Sequence, residues 1–180
     1  MRIERKLSAG LVIDIQEKLY PHMDQKEELL RHTSMLLEGF RILQIPLVIT
    51  EQYPKGLGPT LEPLSLLLEK EPVIEKISFS CCGEPGVRDK LNSLKRPTII
   101  ICGIEAHVCV LQTVVDLVEQ GYRAVVVEDC ISSRKPEDKR VAVERMRSEG
   151  AVITTCESVL FELTGVAGTD EFKAISRLVK

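Results

Sequence analysis

The sequence predicts a three-layer α/β/α fold, with a mostly parallel sheet of about six strands between two layers of helices. Short aliphatic, β-branched runs alternate along the whole chain with longer segments that have helical periodicity. The strand-like runs are almost continuously apolar, which is typical of strands that are buried on both faces. With 180 residues and 44% apolar content, the chain is expected to form a single domain over residues 1–180.

Six short runs have the length and composition of strands. The first contains Leu-Val-Ile-Asp-Ile, with Asp14 near its C-terminal end, and the third is an extended piece that contains Lys76. In chain order, we expect strands within residues 7–15, 46–52, 72–80, 98–101, 124–127 and 151–154.

The segments between these runs place apolar residues at the spacing of helices. The first helix is expected to stop before Pro46, and two later ones end at Gly121 and Gly150. Residues 53–60 contain two glycines and two prolines, so we expect a loop there, at the same sheet edge as Asp14. In chain order, we expect helices within residues 24–43, from the turn at 83–86 to about 94, 108–120 and 136–149.

The composition excludes several classes of function. The net charge is -3 and basic residues alternate with acidic ones, so we expect no nucleic-acid partner. The N-terminus lacks an apolar signal region, and no apolar run reaches the roughly 18 residues of a membrane span, so we expect a soluble, cytoplasmic protein without a membrane partner. The six cysteines have no zinc-ligand spacing and are expected to be free thiols; Cys81 and Cys82 could alternatively form a strained vicinal disulfide.

Candidate reactive residues lie at the carboxyl ends of three of the expected strands. In a parallel sheet, ligands bind at the carboxyl ends of the strands, where Asp14, the loop at residues 52–59 and Cys109 all lie. At the start of a helix, the thiol of Cys109 would have a pKa below its free value of about 8.5, although a buried packing role is equally open. Asp14 would act as a general base or would only hydrogen-bond its turn, and Lys76 would stabilise the thiolate or lie in solvent.

Three segments resemble the isochorismatase-like cysteine hydrolases, in the order in which that superfamily has them and over nearly the whole chain. They are Leu11-Val-Ile-Asp-Ile-Gln16, Glu75-Lys-Ile-Ser-Phe-Ser80 and Gly103-Ile-Glu-Ala-His-Val-Cys-Val110. The resemblance implies a catalytic triad of the nucleophile Cys109 with Asp14 and Lys76. It also implies a cis peptide between Ile104 and Glu105, and an oxyanion hole formed by the N–H groups of Glu105 and Cys109.

The segment from Thr50 to Thr60 looks like the branch of isochorismatase domain-containing proteins, whose physiological substrates are poorly defined. Nicotinamidases of the superfamily bind a metal through an Asp-x-His motif plus another histidine after the second strand, but this chain has Thr-Glu-Gln-Tyr-Pro there. We therefore expect no metal and no cofactor. Four residues are expected to line the pocket for a small-molecule substrate, although His107 could equally face outward: Gln52, Tyr53, Phe79 and His107.

The resemblance favours hydrolysis of an amide-type carbon–nitrogen bond through a thioester. Isochorismatases with this fold lack the nucleophilic cysteine, so vinyl ether hydrolysis is the lesser alternative. A protein of the same fold that only binds a metabolite, or that senses oxidants through Cys109, is another alternative. The resemblance also implies a homo-oligomer, a dimer or a higher even number. Val159, Leu160 and Phe161 could be exposed on such an assembly or belong to the core.

Overall fold

The computed structural model describes residues 2–68 and 71–180. Within these ranges, six strands form one all-parallel sheet in the order β3-β2-β1-β4-β5-β6, which confirms the expected α/β/α fold. The strands are β1 Ser8–Ile13, β2 Leu47–Gln52, β3 Val73–Lys76, β4 Thr98–Ile104, β5 Arg123–Ser132 and β6 Val152–Thr154. An isolated antiparallel bridge joins Gln16 to Thr60 beyond the ends of the strands.

The helices lie in two layers, one on each face of the sheet. Along β4, Ile99 and Ile101 point into one core while Ile100 and Cys102 point into the other, because successive side chains of a strand alternate between its faces. Buried residues of α1, α3, α7 and α8 complete the first core, and those of α4, α5 and α6 complete the second. The helices are α1 Lys26–Leu43, α2 Pro54–Leu57, α3 Glu62–Leu67, α4 Pro85–Leu94, α5 Leu111–Glu119, α6 Pro136–Ser148, α7 Cys156–Thr164 and α8 Asp170–Leu178.

The strand order reverses between β1 and β4, at the centre of the sheet. Ile13 pairs with Gly103 there, and Gly103 has a φ of +137°. A Cβ at this glycine would lie 2.2 Å from the carbonyl oxygen of Ile13, so only glycine allows the two strands to approach this closely. Ligands of open α/β sheets bind at such a reversal point, and both Asp14 and Cys109 follow the strands that form it.

Several element boundaries differ from the sequence expectations. Strand β1 ends at Ile13 because Asp14 has a left-handed φ of 52°. The expected loop at residues 53–60 contains the one-turn helix α2. Its first residue is Pro54, whose ring fixes φ at a helical value. Strand β5 extends to Ser132, five residues beyond the expected end at Val127.

Besides α2, the helices α3, α7 and α8 were not expected from the sequence. Helix α7 contains Val159 and Leu160, which are both fully buried, while Phe161 is partly buried. These residues therefore belong to the core. Among residues 2–68 and 71–180, no helix is long and apolar enough to cross a membrane.

Candidate active site

Three parallel strands bring the expected catalytic residues to one edge of the sheet. Asp14 follows β1, and Lys76 is the last residue of β3. Cys109 lies in a π-helical turn, Ala106–Val110, which joins the end of β4 to α5. Lys76 Nζ lies 2.7 Å from Asp14 Oδ2, and neither side chain is exposed to solvent. The structure thus places a thiol, a carboxylate and an ammonium group close together, although they are far apart in the chain.

Both charged groups of this cluster are held by further hydrogen bonds. Thr50 Oγ1 donates to Asp14 Oδ1 at 2.8 Å. Lys76 Nζ donates to Gln52 Oε1 at 2.8 Å and to the carbonyl oxygens of Phe79 at 3.0 Å and Ser78 at 3.1 Å. The three protons of the ammonium group therefore have three hydrogen-bond acceptors in addition to the ion pair with Asp14, which is the satisfaction that a fully buried charge requires.

The Cys109 thiol has a high pKa, which contradicts the expectation of a thiolate stabilised at a helix start. Cys109 is only 6% exposed. Burial, followed by the negative charge of Asp14, raises the pKa of its thiol to about 12, while the positive charge of Lys76 opposes this rise. In this site, a thiolate beside an ionised Asp14 would be a second buried negative charge facing one ammonium group. The resting thiol is therefore protonated.

Thr50 and Thr113 were not identified from the sequence, and both contact the site. Thr113 Oγ1 donates to the carbonyl oxygen of Cys109 at 2.6 Å and accepts from the amide N–H of Cys81 at 2.9 Å. Thr50 Oγ1 lies 3.7 Å from the Sγ of Cys81. A threonine at the end of a buried strand, or one turn after a cysteine in a helix, is too common to be singled out from the sequence.

Cys81 is a second thiol near the triad. It is fully buried, and burial followed by the charge of Asp14 raises its pKa to about 11. All six cysteines are free thiols, so the expectation of reduced cysteines is confirmed and the vicinal disulfide of Cys81 and Cys82 is not formed.

The four expected pocket residues have different environments. Gln52 is 9% exposed and its amide is bonded to Lys76, so it contacts the triad rather than solvent. Tyr53 and Phe79 are 52% and 54% exposed. His107 Nδ1 lies 2.9 Å from Ser133 Oγ, and its Nε2 lies 3.9 Å from Asp138, so the ring contacts the segment that leads into α6.

Glu105 connects the turn before Cys109 to the segment after β5. The peptide bond between Ile104 and Glu105 is cis. Glu105 Oε2 accepts from both the backbone N–H and the Nε of Arg134, at 3.1 and 3.0 Å. The Glu105 side chain is 10% exposed, so this ion pair is largely shielded on the carboxylate side and holds the turn in place.

Several cavities lie at this edge of the sheet, including one lined by Glu17, Glu51 and Thr60. Another, of about 320 Å³, borders Lys76 directly, and its lining includes Tyr53, Ile77 and Glu84. A third, of about 520 Å³, lies beyond β5 and is lined by charged residues such as Asp129 and Lys139, but not by the triad. The cavity of about 320 Å³ is the better candidate for substrate because Lys76 is among its lining residues, although neither Asp14 nor Cys109 lines it.

The residues present do not fit a metal site of the nicotinamidase type. Within the described ranges, no three His, Cys, Asp or Glu side chains are placed to hold an ion. In the segment that carries the metal ligands of nicotinamidases, Thr50 and Gln52 instead bind Asp14 and Lys76.

Comparisons with known proteins agree with the fold. The model of the isochorismatase domain matches residues 8–158. Isochorismatase domain-containing protein 2 of Danio rerio is 40% identical over 99% of this chain and 89% of its own length. A solved structure described as MAR1 ribonuclease from Caenorhabditis elegans is 40% identical, covers 99% of this chain and 92% of its own, and superposes with a TM-score of 0.94. The YcaC gene product of Escherichia coli, described as an octameric hydrolase of unknown specificity, shares the fold at 19% identity, with a TM-score of 0.93 over 99% of this chain and 90% of its own.

Proposed function

The chain belongs to the isochorismatase family, and on that premise we propose that it is a cysteine hydrolase that cleaves an amide-type carbon–nitrogen bond of a small molecule. Cys109 is the nucleophile, and Asp14 is the general base and acid. Lys76 is the cation that neutralises the negative charge of the site. The observation that carries this proposal is the buried contact of 2.7 Å between Asp14 and Lys76 beside the thiol.

Attack couples bond formation to proton transfer. The Cys109 sulfur forms a bond to the carbonyl carbon of the substrate as the thiol proton passes to Asp14. This transfer removes the charge of the carboxylate while the developing oxyanion replaces it, so the site with Lys76 never holds two unbalanced negative charges. The high pKa of Cys109 therefore fits a thiolate that is formed only during attack.

The oxyanion of the tetrahedral intermediate would accept hydrogen bonds from the N–H groups of Glu105 and Cys109. Each such donor typically lowers the barrier by about 3 to 4 kcal/mol. Protonated Asp14 then gives its proton to the leaving nitrogen as the carbon–nitrogen bond breaks, which leaves a thioester on Cys109. Asp14 next takes a proton from water, the hydroxide forms a bond to the thioester carbon, and the carbon–sulfur bond breaks with return of the proton to sulfur.

The substrate is expected to approach through the cavity beside Lys76. Tyr53 and Phe79 are exposed at this edge, and Gln52 and His107 are bonded to protein groups, so we assign the direct substrate contacts to the two aromatic rings. Each ring has an apolar face, which suits a substrate with an apolar part beside its amide.

A panel of small amides, with release of ammonia or amine as the measured signal, tests the proposal. The wild-type protein is expected to hydrolyse at least one amide, and Cys109→Ala is expected to lose that turnover. Full turnover by Cys109→Ala would refute the cysteine mechanism.

The description of the Caenorhabditis elegans relative makes RNA cleavage a second candidate function. Its test is the degradation of a labelled single-stranded RNA by the wild-type protein. The net charge of -3 disfavours this candidate, because binding to a phosphate backbone depends on excess positive charge.

We also propose that the protein is a cytoplasmic homo-oligomer. Six free thiols suit a reducing compartment. Ile77, which is 71% exposed, lies in the lining of the cavity near Lys76, and a second copy would cover its apolar side chain. Light scattering on the purified protein would give an even number of chains, whereas a monomer would contradict this proposal.

A further inference from the structure

Gln52 has a buried side chain whose amide is bonded at both ends. Its Oε1 accepts from Lys76 Nζ at 2.8 Å, and its Nε2 donates to the carbonyl oxygen of Ile77 at 2.7 Å. A reversal of the amide would point Nε2 at the ammonium group and Oε1 at a carbonyl oxygen, which would lose both hydrogen bonds. The amide oxygen is therefore fixed towards Lys76.

Gln16 fixes the backbone of Gln52 in turn. Gln16 Oε1 accepts from the Gln52 N–H at 2.8 Å, and its Nε2 donates to the carbonyl oxygens of Gln52 at 3.0 Å and Gly58 at 2.7 Å. Gln16 is fully buried and comes two residues after Asp14. Two glutamines thus link the segment that carries Asp14 to the strand end that carries Lys76.

The position of the Lys76 ammonium group needs such a link. A lysine ends in a compact charge on a flexible four-carbon stem, so one carboxylate alone does not fix its place. Besides its ion pair with Asp14, the Lys76 ammonium group is bound by three neutral acceptors. They are the side-chain oxygen of Gln52 and the carbonyl oxygens of Ser78 and Phe79. Of these neutral acceptors, only Gln52 is a side chain, so it alone can be changed by mutation without altering the backbone.

We propose that Gln52 is a positioning residue that acts through Lys76, holding the ammonium group on Asp14 where it stabilises the Cys109 thiolate as it forms. The inference rests on the proposed function and deepens it, because it assigns a role in the triad to the strand segment that carries metal ligands in nicotinamidases.

The test is the rate at which iodoacetamide alkylates Cys109, followed by mass spectrometry of the peptide that contains it, between pH 8 and 10. Gln52→Met, which keeps the length of the side chain but removes the acceptor, is expected to lower the rate about tenfold, the effect of a one-unit rise in thiol pKa. Lys76→Met is expected to lower it at least as much. The double variant should react no more slowly than Lys76→Met alone, because Gln52 acts only through the lysine.

An equal slowing by Gln52→Met with and without Lys76, or no slowing at all, would overturn the proposal. Gln52→Asn, whose amide is too short to reach Nζ, provides the same comparison if Gln52→Met does not fold. Thr33→Val is the control for a change in a buried position, because Thr33 is fully buried in α1 and its hydroxyl has no hydrogen-bond partner within the described part of the chain.

The comparison of alkylation rates among the wild-type protein, the two single variants and the double variant does not require a substrate. It therefore separates this inference from the proposed function. If Gln52→Met slows alkylation of Cys109 only when Lys76 is present, the positioning role is supported even if the protein hydrolyses none of the amides. Where an amide is hydrolysed, Gln52→Met is expected to lower kcat about tenfold with little change in KM. A rise in KM at constant kcat would instead make Gln52 a substrate contact and contradict the inference.

Discussion

The carboxylate of Asp14 and the ammonium group of Lys76 lie 2.7 Å apart at a place where neither side chain reaches water. Such a pair is neutral as a unit, and its burial is tolerated because Thr50 and Gln52 supply additional hydrogen bonds. Burial and the charge of Asp14 outweigh the stabilisation that Lys76 gives to a thiolate, which explains why the resting Cys109 keeps its proton. In the proposed mechanism, the pair accepts that proton during attack, when Asp14 becomes neutral.

Replacement of Asp14 with Asn should change thiol reactivity and turnover in opposite directions. The charge of Asp14 raises the pKa of Cys109, so its removal lowers that pKa and makes alkylation of Cys109 near pH 8 roughly tenfold faster. Amide turnover should nonetheless be lost, because Asn cannot accept the thiol proton. Peptide-resolved alkylation and amine release measure the two effects.

Asp170→Asn is the control for this variant, because Asp170 lies at the exposed start of α8. It should change neither property. A slower alkylation in a folded Asp14→Asn protein would show that the carboxylate does not oppose thiolate formation, contrary to the proposed charge balance.

Thr113→Val should destabilise the protein because it breaks the link between Cys81 and Cys109. The buried N–H of Cys81 would lose its acceptor, which costs about 1 to 3 kcal/mol in the free energy of unfolding. Thr33→Val makes the same chemical change at a buried hydroxyl that has no partner among the described residues, so it should be neutral or slightly stabilising. Urea unfolding measures both, and equal effects of the two variants would contradict the structural role of Thr113.

Gly103→Ala should prevent folding or cost more than about 4 kcal/mol of stability. Its Cβ would lie 2.2 Å from the carbonyl oxygen of Ile13, and the clash falls between the two strands that carry Asp14 and Cys109. Gly121→Ala is the matched control, because Gly121 also has a positive φ of 83° but has no atom within 4 Å of the new Cβ. It should cost only about 1 to 2 kcal/mol, the strain of the left-handed backbone. Similar unfolding midpoints for the two variants would show that strain rather than the clash decides the cost.

The protein should lose stability between about pH 9 and pH 12. Burial raises the pKa of Cys102 from 9.0 to about 12, and the pKa values of Cys82 and Cys109 rise to the same value. In this range, the unfolded chain has lost protons that the folded protein keeps, so the free energy of unfolding falls as the pH rises. Urea titrations at several pH values measure this slope, and a constant free energy from pH 9 to 11 would disagree with the burial of the thiols.

Cys102→Ala tests the contribution of a single thiol. The variant removes one group that loses its proton near pH 9 in the unfolded chain but only near pH 12 in the folded protein, so its free energy of unfolding should fall less steeply with pH than that of the wild-type protein. A slope equal to that of the wild-type protein would show that Cys102 does not contribute.

The sequence was sufficient to predict the sheet because its strands are buried runs with strong composition signals. It also placed Asp14 and Cys109 at the carboxyl ends of strands, and the parallel direction of the strands brings these ends to one edge. Lys76 was expected inside the third extended run, and only the family resemblance assigned it to the triad; in the structure it is the last residue of β3. Helices α7 and α8 were missed, although Val159 and Leu160 are fully buried core residues. Their apolar residues lie in two short segments near the C-terminus. No strand-like run follows these segments, so nothing indicates that they are helices connecting two strands.

The charge state of Cys109 could not be predicted from the sequence, since it depends on three-dimensional contacts. The helix start alone favours a thiolate, but burial and the nearby Asp14 have the larger effect. The contacts of Gln52 also depend on the register of β2 against β3, where Gln52 pairs with Lys76. That register makes Gln52 a neighbour of the triad rather than a part of the outer pocket wall.

The most direct test of the account is to trap the covalent intermediate. Wild-type protein mixed with a hydrolysed amide, quenched in acid within the first turnover and digested, should carry the acyl group of the substrate on Cys109 and on no other cysteine. Asp14→Asn, which lacks the general base and acid, should carry none. Turnover of the amide with no acyl group on Cys109, or with the acyl group on another residue, would contradict the proposal that Cys109 is the nucleophile.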